Sequence, residues 1–169
     1  MLVRIPMAAT KADLRRVSAA NPESSVELWP DGELSVTPPT GGASGERNAR
    51  LAVLIGQWAA AHDYVAFDSS AGFELLNKAV LSPDAAIVQR SLWMSLTAKQ
   101  REAFVKIVPD VAIEIVSQSD QPAHLRAKLE LFRQAGTMYV VLIDPYRREI
   151  WTDGTPPPDF ALDLASLLE

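Results

Sequence analysis

The first residue of this chain that could do chemistry is a carboxylate inside an apolar run. Glu114 interrupts Val111-Ala112-Ile113-Glu114-Ile115-Val116, a β-branched stretch that predicts a central strand. Alternation puts Val111, Ile113 and Ile115 on one face and Ala112, Glu114 and Val116 on the other. A charge on a buried strand is costly unless it is paired or binds a cation. Glu114 therefore reaches solvent at a strand end, holds the sheet through a salt bridge, or ligates a metal. Lys128 repeats the anomaly on a helix. At about 100° per residue it falls inside the arc of Leu125, Leu129, Leu131, Phe132 and Ala135, while Arg126, Glu130, Arg133 and Gln134 take the opposite side. Such a lysine either snorkels outward along its stem or meets a carboxylate, and Glu114 on the preceding strand is the nearest candidate. Asp84 stands in Ser82-Pro83-Asp84-Ala85-Ala86-Ile87-Val88, at the entry to another apolar strand. Alone it is ordinary turn chemistry. Two carboxylates and one lysine at a sheet edge are what a hydrolytic metal site for phosphodiesters needs. The carboxylates hold Mg²⁺, metal and lysine neutralise the pentacovalent transition state, and bound water loses its proton more easily.

The elements that must position these groups follow from the sequence pattern. A helix is predicted over 10–20, with Thr10 as N-cap and Asn21-Pro22 as stop. Strands at 25–29 and 33–37 flank the turn signal Pro30-Asp31-Gly32. A glycine-rich loop, PPTGGASG, leads to a helix over 46–62 with Leu51, Leu54, Ile55 and Trp58 on one face. Strand-like pieces follow at 64–68, 72–76 and 85–88, then a helix over 96–105 opened by Thr97. After the Glu114 strand come a helix over Pro122–Ala135 ended by Gly136, an apolar strand at 138–143 and a polar edge strand at 147–152. Pro156-Pro157-Pro158 breaks the chain before a short tail at 160–168. The strand–helix–strand unit implies a parallel pair with a right-handed crossover. The expectation is one mixed α/β domain over 1–169: helix and hairpin at 10–37, core at 43–152, tail at 153–169.

Composition limits the chemistry further. The chain has 169 residues, 48% of them apolar, enough for one sizeable core and too apolar for a disordered chain. It has no cysteine and only His62 and His124, which excludes thiolate sites, Cys nucleophiles and multi-His cages. Any metal site is built mainly from oxygen ligands, favouring Mg²⁺, Mn²⁺ or Ca²⁺. Sixteen basic against twenty-one acidic residues give a net charge of −5, so nucleic-acid binding would require the positive groups gathered on one face. The opening MLVRIPMAATKADLRR has no apolar run of signal-peptide length and no stretch could span a membrane; the expected setting is cytoplasmic.

Several blocks resemble a known family. PTGGASGERNARL, SPDAAIV, VPDVAIEIVSQSD, RAKLELFRQAG and VVLIDP are similar to a bacterial restriction-endonuclease-like family, expanded in cyanobacteria and long catalogued as a domain of unknown function. Its fold is that of the PD-(D/E)xK nuclease superfamily, a mixed central sheet flanked by helices. The resemblance runs from about Pro30 past Asp144-Pro145. It implies that Asp84 is the Asp of the first half-motif and Glu114 the acid of the second. Both would coordinate metal, with the backbone carbonyl of Ile115 as a further ligand. The superfamily lysine lies two residues beyond the second acid, where this chain has Val116. In this family it is relocated to the following helix, and Lys128 matches that place. The implied catalytic set is Asp84, Glu114 and Lys128, the metal Mg²⁺ or Mn²⁺, the substrate nucleic acid, expected to be DNA, and the assembly a homodimer. Gln118 stands where the family usually has Pro, and Phe132 replaces a common Tyr.

Other residues carry less. Some superfamily members add an acid from the first core helix; Glu46 lies off that helix's apolar face and reads as a solvated residue near the helix start, while Asn48 is nearer the buried side. The Gly41–Gly45 segment could bind an anion but lacks a P-loop lysine and reads as a connector. Ser69, Ser70, Ser117 and Ser119 have no supporting His–Asp pair, His124 being expected exposed on its helix. The four tryptophans do not cluster as a stacking platform. The leading expectation is a metal-dependent endonuclease. Its rivals are a nuclease-fold module without catalysis and a hydrolase of another phosphoester.

Overall fold

The alternation around Glu114 becomes the middle strand of a five-stranded sheet. The computed structural model describes residues 3–5 and 8–169. Strand β1 (Val3–Ile5) precedes helix α1 (Lys11–Ala20), whose Thr10 N-cap forms a capping box with Asp13. The predicted hairpin is β2 (Ser25–Leu28) and β3 (Leu34–Thr37). Helix α2 (Gly42–Ala61) starts four residues earlier than its apolar face suggests. The glycine-rich segment is thus its first turn and not a connector, and Glu46 stands beyond that turn. β4 (Tyr64–Asp68), β5 (Phe73–Glu74), β6 (Val80–Leu81) and β7 (Ala85–Gln89) follow.

The helix expected over 96–105 is a single turn, α4 (Ala98–Arg101), capped by Thr97 and Gln100; the short α3 (Arg90–Ser95) precedes it. Beyond α4 the chain extends, and Val105 bridges to Phe73. β8 (Val111–Ile115), α5 (Pro122–Ala135) and β9 (Tyr139–Asp144) form the predicted parallel unit, with Ile113 opposite Val141. α5 takes Pro122 in its first turn and ends on Gly136, whose φ of +116° suits a residue without Cβ. β10 (Glu149–Gly154) is the polar edge strand, and a 3-10 helix (Leu164–Leu168) closes the chain.

Two sheets result, ordered β1-β3-β2-β6-β5 and β10-β9-β8-β7-β4. The second is central. One face carries Ala85, Ile87, Val111, Ile113 and Ile115 against Leu51, Ile55 and Trp58 of α2, and Leu167 of the tail is fully buried there. The other face carries Ala86, Ala112 and Val116 beneath Leu125, Leu129 and Phe132 of α5, together with Phe73 and Leu81 from the first sheet. The two faces of β8 thus separate as alternation requires, and Glu114 is on the α5 side. A smaller core joins Leu14 of α1 to Leu28, Leu34 and Val80. Among the described residues no helix is long and apolar enough to cross a membrane.

Candidate active site

Sheet register brings the two predicted acids together. β7 and β8 run antiparallel with Ala85 opposite Ile113 and Ala86 opposite Ala112; one step further along this ladder, Asp84 faces Glu114. The backbone N–H of Ile115 donates to Asp84 Oδ2 at 2.8 Å, which ties the turn before β7 to the end of β8. Lys128 projects from α5, one turn after Leu125, onto the same sheet face. Its Nζ lies 2.7 Å from Glu114 Oε1 and donates to the carbonyl of Ser82 at 2.8 Å. The lysine neither snorkels nor leaves Glu114 in solvent, because both side chains are buried (7% and 4% exposed).

A third acid completes the group. Glu27 of β2 places Oε1 2.8 Å from Lys128 Nζ and accepts from the backbone N–H of Ser82 at 2.8 Å. Sequence reading misses Glu27, because alternation in Ser25-Val26-Glu27-Leu28 assigns it to the solvent side of a hairpin. The packing of the first sheet against α5 buries that side instead. These groups share a cavity of about 280 Å³ also lined by Asn48, Ser117, Asp120 and His124. Asp120 caps the β8–α5 turn by accepting from the N–H of Ser117 at 2.8 Å. His124 is not turned to solvent as expected. It lines the cavity and stacks on Trp29 with ring centroids 4.5 Å apart. Asn48 reaches the cavity, whereas Glu46 is exposed and pairs with Arg50 at 3.6 Å. Phe132 is fully buried against Phe73. Gln118 is exposed and lines a neighbouring groove at the start of α2.

Charge in this pocket is out of balance: of the carboxylates that line it, Glu27, Asp84 and Glu114 all act on the single ammonium of Lys128. Burial, reinforced by Asp84 and Glu27 and opposed by Lys128, pushes the Glu114 carboxyl well above the usual glutamate range. Burial also raises Asp84, against the pull of Lys128 and the Ile115 N–H. For Lys128, burial favours the neutral amine, but Glu114, Glu27 and Asp84 together outweigh it and hold the ammonium above the ordinary lysine value. Despite the 2.7 Å approach of Lys128, Glu114 Oε1 lacks a partner in hydrogen-bonding geometry. A buried, incompletely satisfied oxygen beside surplus negative charge is a setting that a hard divalent cation relieves. Among the described residues no group of three or more His, Cys, Asp or Glu forms a metal cage. The smaller set of Asp84 and Glu114, with Ile115 beside them in the cavity lining, is of the kind that suits Mg²⁺, which is usually held by one or two carboxylates and completed by water and phosphate.

The model of the Uma2 family, described as "Putative restriction endonuclease", matches residues 12–162. The chain belongs to this family. Membership carries a nuclease-like function, and the Uma2 fold recurs in the crystal structure of "a putative nuclease belonging to DUF820 from Anabaena variabilis ATCC 29413". The match has a TM-score of 0.69 at 19% identity and covers 86% of this chain and 92% of that one. No curated protein matches this Uma2 chain.

Proposed function

We propose that this Uma2 protein is a metal-dependent endonuclease that hydrolyses phosphodiester bonds in DNA. The observation that carries the reading is the convergence of Asp84, Glu114 and Lys128, from two strands and a helix, on one cavity. Asp84 and Glu114, with the backbone carbonyl of Ile115, would hold Mg²⁺ or Mn²⁺. Bound there, the ion supplies Lewis-acid stabilisation of the transition state and lowers the pKa of water. Lys128 stays protonated at neutral pH, so it acts as a fixed positive charge toward a phosphate oxygen and not as a general base. Its Nζ makes three contacts, with Glu27, Glu114 and the Ser82 carbonyl, all within 2.8 Å. Contact with a substrate therefore needs one to be exchanged. The Glu114 contact is the candidate, lying outside hydrogen-bonding geometry. We read the chain as a single domain acting in the cytoplasm as a homodimer, an arrangement that presents two sites to a duplex despite a net charge of −5.

The test is nicking of supercoiled plasmid with Mg²⁺ or Mn²⁺ by the wild type, Glu114→Ala and Lys128→Ala. Nicking confined to the wild type is expected; equal nicking by all three removes the assignment. The full engagement of Lys128 favours one rival, a nuclease-fold module without catalysis. Calorimetric Mn²⁺ titration separates the two. Saturable binding lost in Asp84→Ala supports the enzyme, and no binding at millimolar Mn²⁺ supports the module.

A further inference from the structure

Lysine reaches this site from a helix, so its ammonium sits at the end of a flexible four-carbon stem and needs a holder. In the superfamily arrangement the lysine follows the acid on the same strand, and sheet register fixes both. Here the corresponding residue, Val116, is buried in the core beneath α5. We propose that Glu27 is the positioning residue for Lys128 and for the turn that bears Asp84. The inference rests on the nuclease reading above and adds a residue to it.

The geometry is a closed ring. Glu27 Oε1 receives the Lys128 ammonium and the Ser82 N–H, each at 2.8 Å, and the Ser82 carbonyl takes another ammonium hydrogen at 2.8 Å. Ser82 is two residues before Asp84, so one carboxylate oxygen locates both the cation and the acid-bearing turn. The second oxygen is held in turn. Ser35 Oγ donates to Glu27 Oε2 at 3.4 Å, and Trp29 Nε1 donates to Ser35 Oγ at 3.0 Å. Trp29 stacks on His124 of α5, the helix that carries Lys128. The first sheet therefore braces the lysine at its tip through Glu27 and at its helix through Trp29. Glu27 and Glu114 hold the ammonium between them, at 2.8 and 2.7 Å.

Glu27→Gln separates this from a purely structural role, since the amide still accepts from Ser82 N–H but no longer holds the cation by charge. Two readouts are taken on protein shown by its melting curve to be folded. The first is the rate of reductive methylation of Lys128 by formaldehyde with cyanoborohydride as the hydride donor, followed by mass spectrometry, which needs no nuclease activity. The expected result is at least a several-fold faster modification than in the wild type. The second is plasmid nicking, where kcat is expected to fall by about 10²-fold, the scale of a 1 Å misplacement, with KM for DNA unchanged. Unchanged methylation overturns the proposal whatever the activity. Faster methylation with unchanged kcat overturns it as a statement about catalysis. If the wild type itself does not nick DNA, the nuclease reading fails, and the methylation rate alone decides whether Glu27 holds Lys128. Should Glu27→Gln not fold, Glu27→Asp, which withdraws the carboxylate by one methylene, is read on both scales with the same expected direction.

Discussion

Replacing Lys128 with Met keeps the length of the side chain and deletes its charge, leaving Glu27 and Glu114 facing each other in the interior. The side chains of Lys128, Glu114 and Glu27 are 7%, 4% and 8% exposed, so solvent compensates little for the lost ammonium. Removing one partner of a buried ion pair costs about 3–5 kcal/mol. A second route gives the same size. The variant can fold with a carboxyl protonated, and at about 1.4 kcal/mol per pH unit, moving from the ordinary 4.5 to pH 7.5 costs about 4 kcal/mol. For a domain of this length each kcal/mol is worth about 2–4 °C, so Lys128→Met is expected to melt about 6–20 °C below the wild type at pH 7.5. The sign of the pH dependence follows. A carboxyl whose folded pKa is raised contributes stability that is present below its unfolded pKa and lost as pH rises through the folded one. The deficit should therefore shrink to a few degrees at pH 5. Thermal melts of metal-free wild type, Lys128→Met and Leu125→Ala across this range provide the assay, the leucine variant serving as a packing control with a pH-independent loss. A drop at pH 7.5 below about 3 °C, or a deficit that pH does not alter, would refute the charge-compensation reasoning.

Three further outcomes are expected. Gly154 has φ +95°, and a Cβ there would lie 2.1 Å from the Met138 carbonyl, whereas at Gly136, φ +116°, it would meet open space. In denaturant melts Gly136→Ala should cost about 1–2 kcal/mol and Gly154→Ala distinctly more; equal losses would contradict the steric account. Thr10→Ala removes the capping box at α1 and should cost about 1 kcal/mol without altering Mn²⁺ binding by calorimetry. Burial raises the Asp110 carboxyl although it accepts from Gln89 N–H at 2.7 Å. Its contribution to stability is thus greatest below the ordinary 3.8 and is lost as pH rises through its folded value. Asp110→Asn should flatten the stability profile just above pH 3.8, and an unchanged slope would rule Asp110 out as its source.

How far the fold and the site could be read in the sequence depended on whether a residue broke a local pattern. Glu114 and Lys128 did so, one within an apolar strand and one within a helical stripe, and each also named the face on which they meet. Asp84, ordinary turn chemistry by itself, stood out only beside Glu114 and through the family resemblance. Glu27 broke nothing. Its burial comes from packing the first sheet against α5, a long-range event with no trace in Ser25-Val26-Glu27-Leu28. Glycine content hid the first turn of α2, where tertiary packing overrides weak propensity. At 96–105 the cap at Thr97 was legible, but the loss of helix beyond Arg101 reflects the pull of Val105 into a bridge with Phe73. The tail looked like an appendage because nothing local shows that Leu167 fills the core under α2.

The four charged groups that converge in the cavity come from positions 27, 84, 114 and 128, on two different sheets and the crossover helix α5. During synthesis the hairpin bearing Glu27 emerges long before its cationic counterpart. No partial product short of α5 can gather the cluster, and a chain stalled with its two sheets undocked holds unneutralised acids apart. A cutting centre built this way would have an inherent safeguard: it could not operate until the chain had been made through α5 and the two sheets had closed on each other.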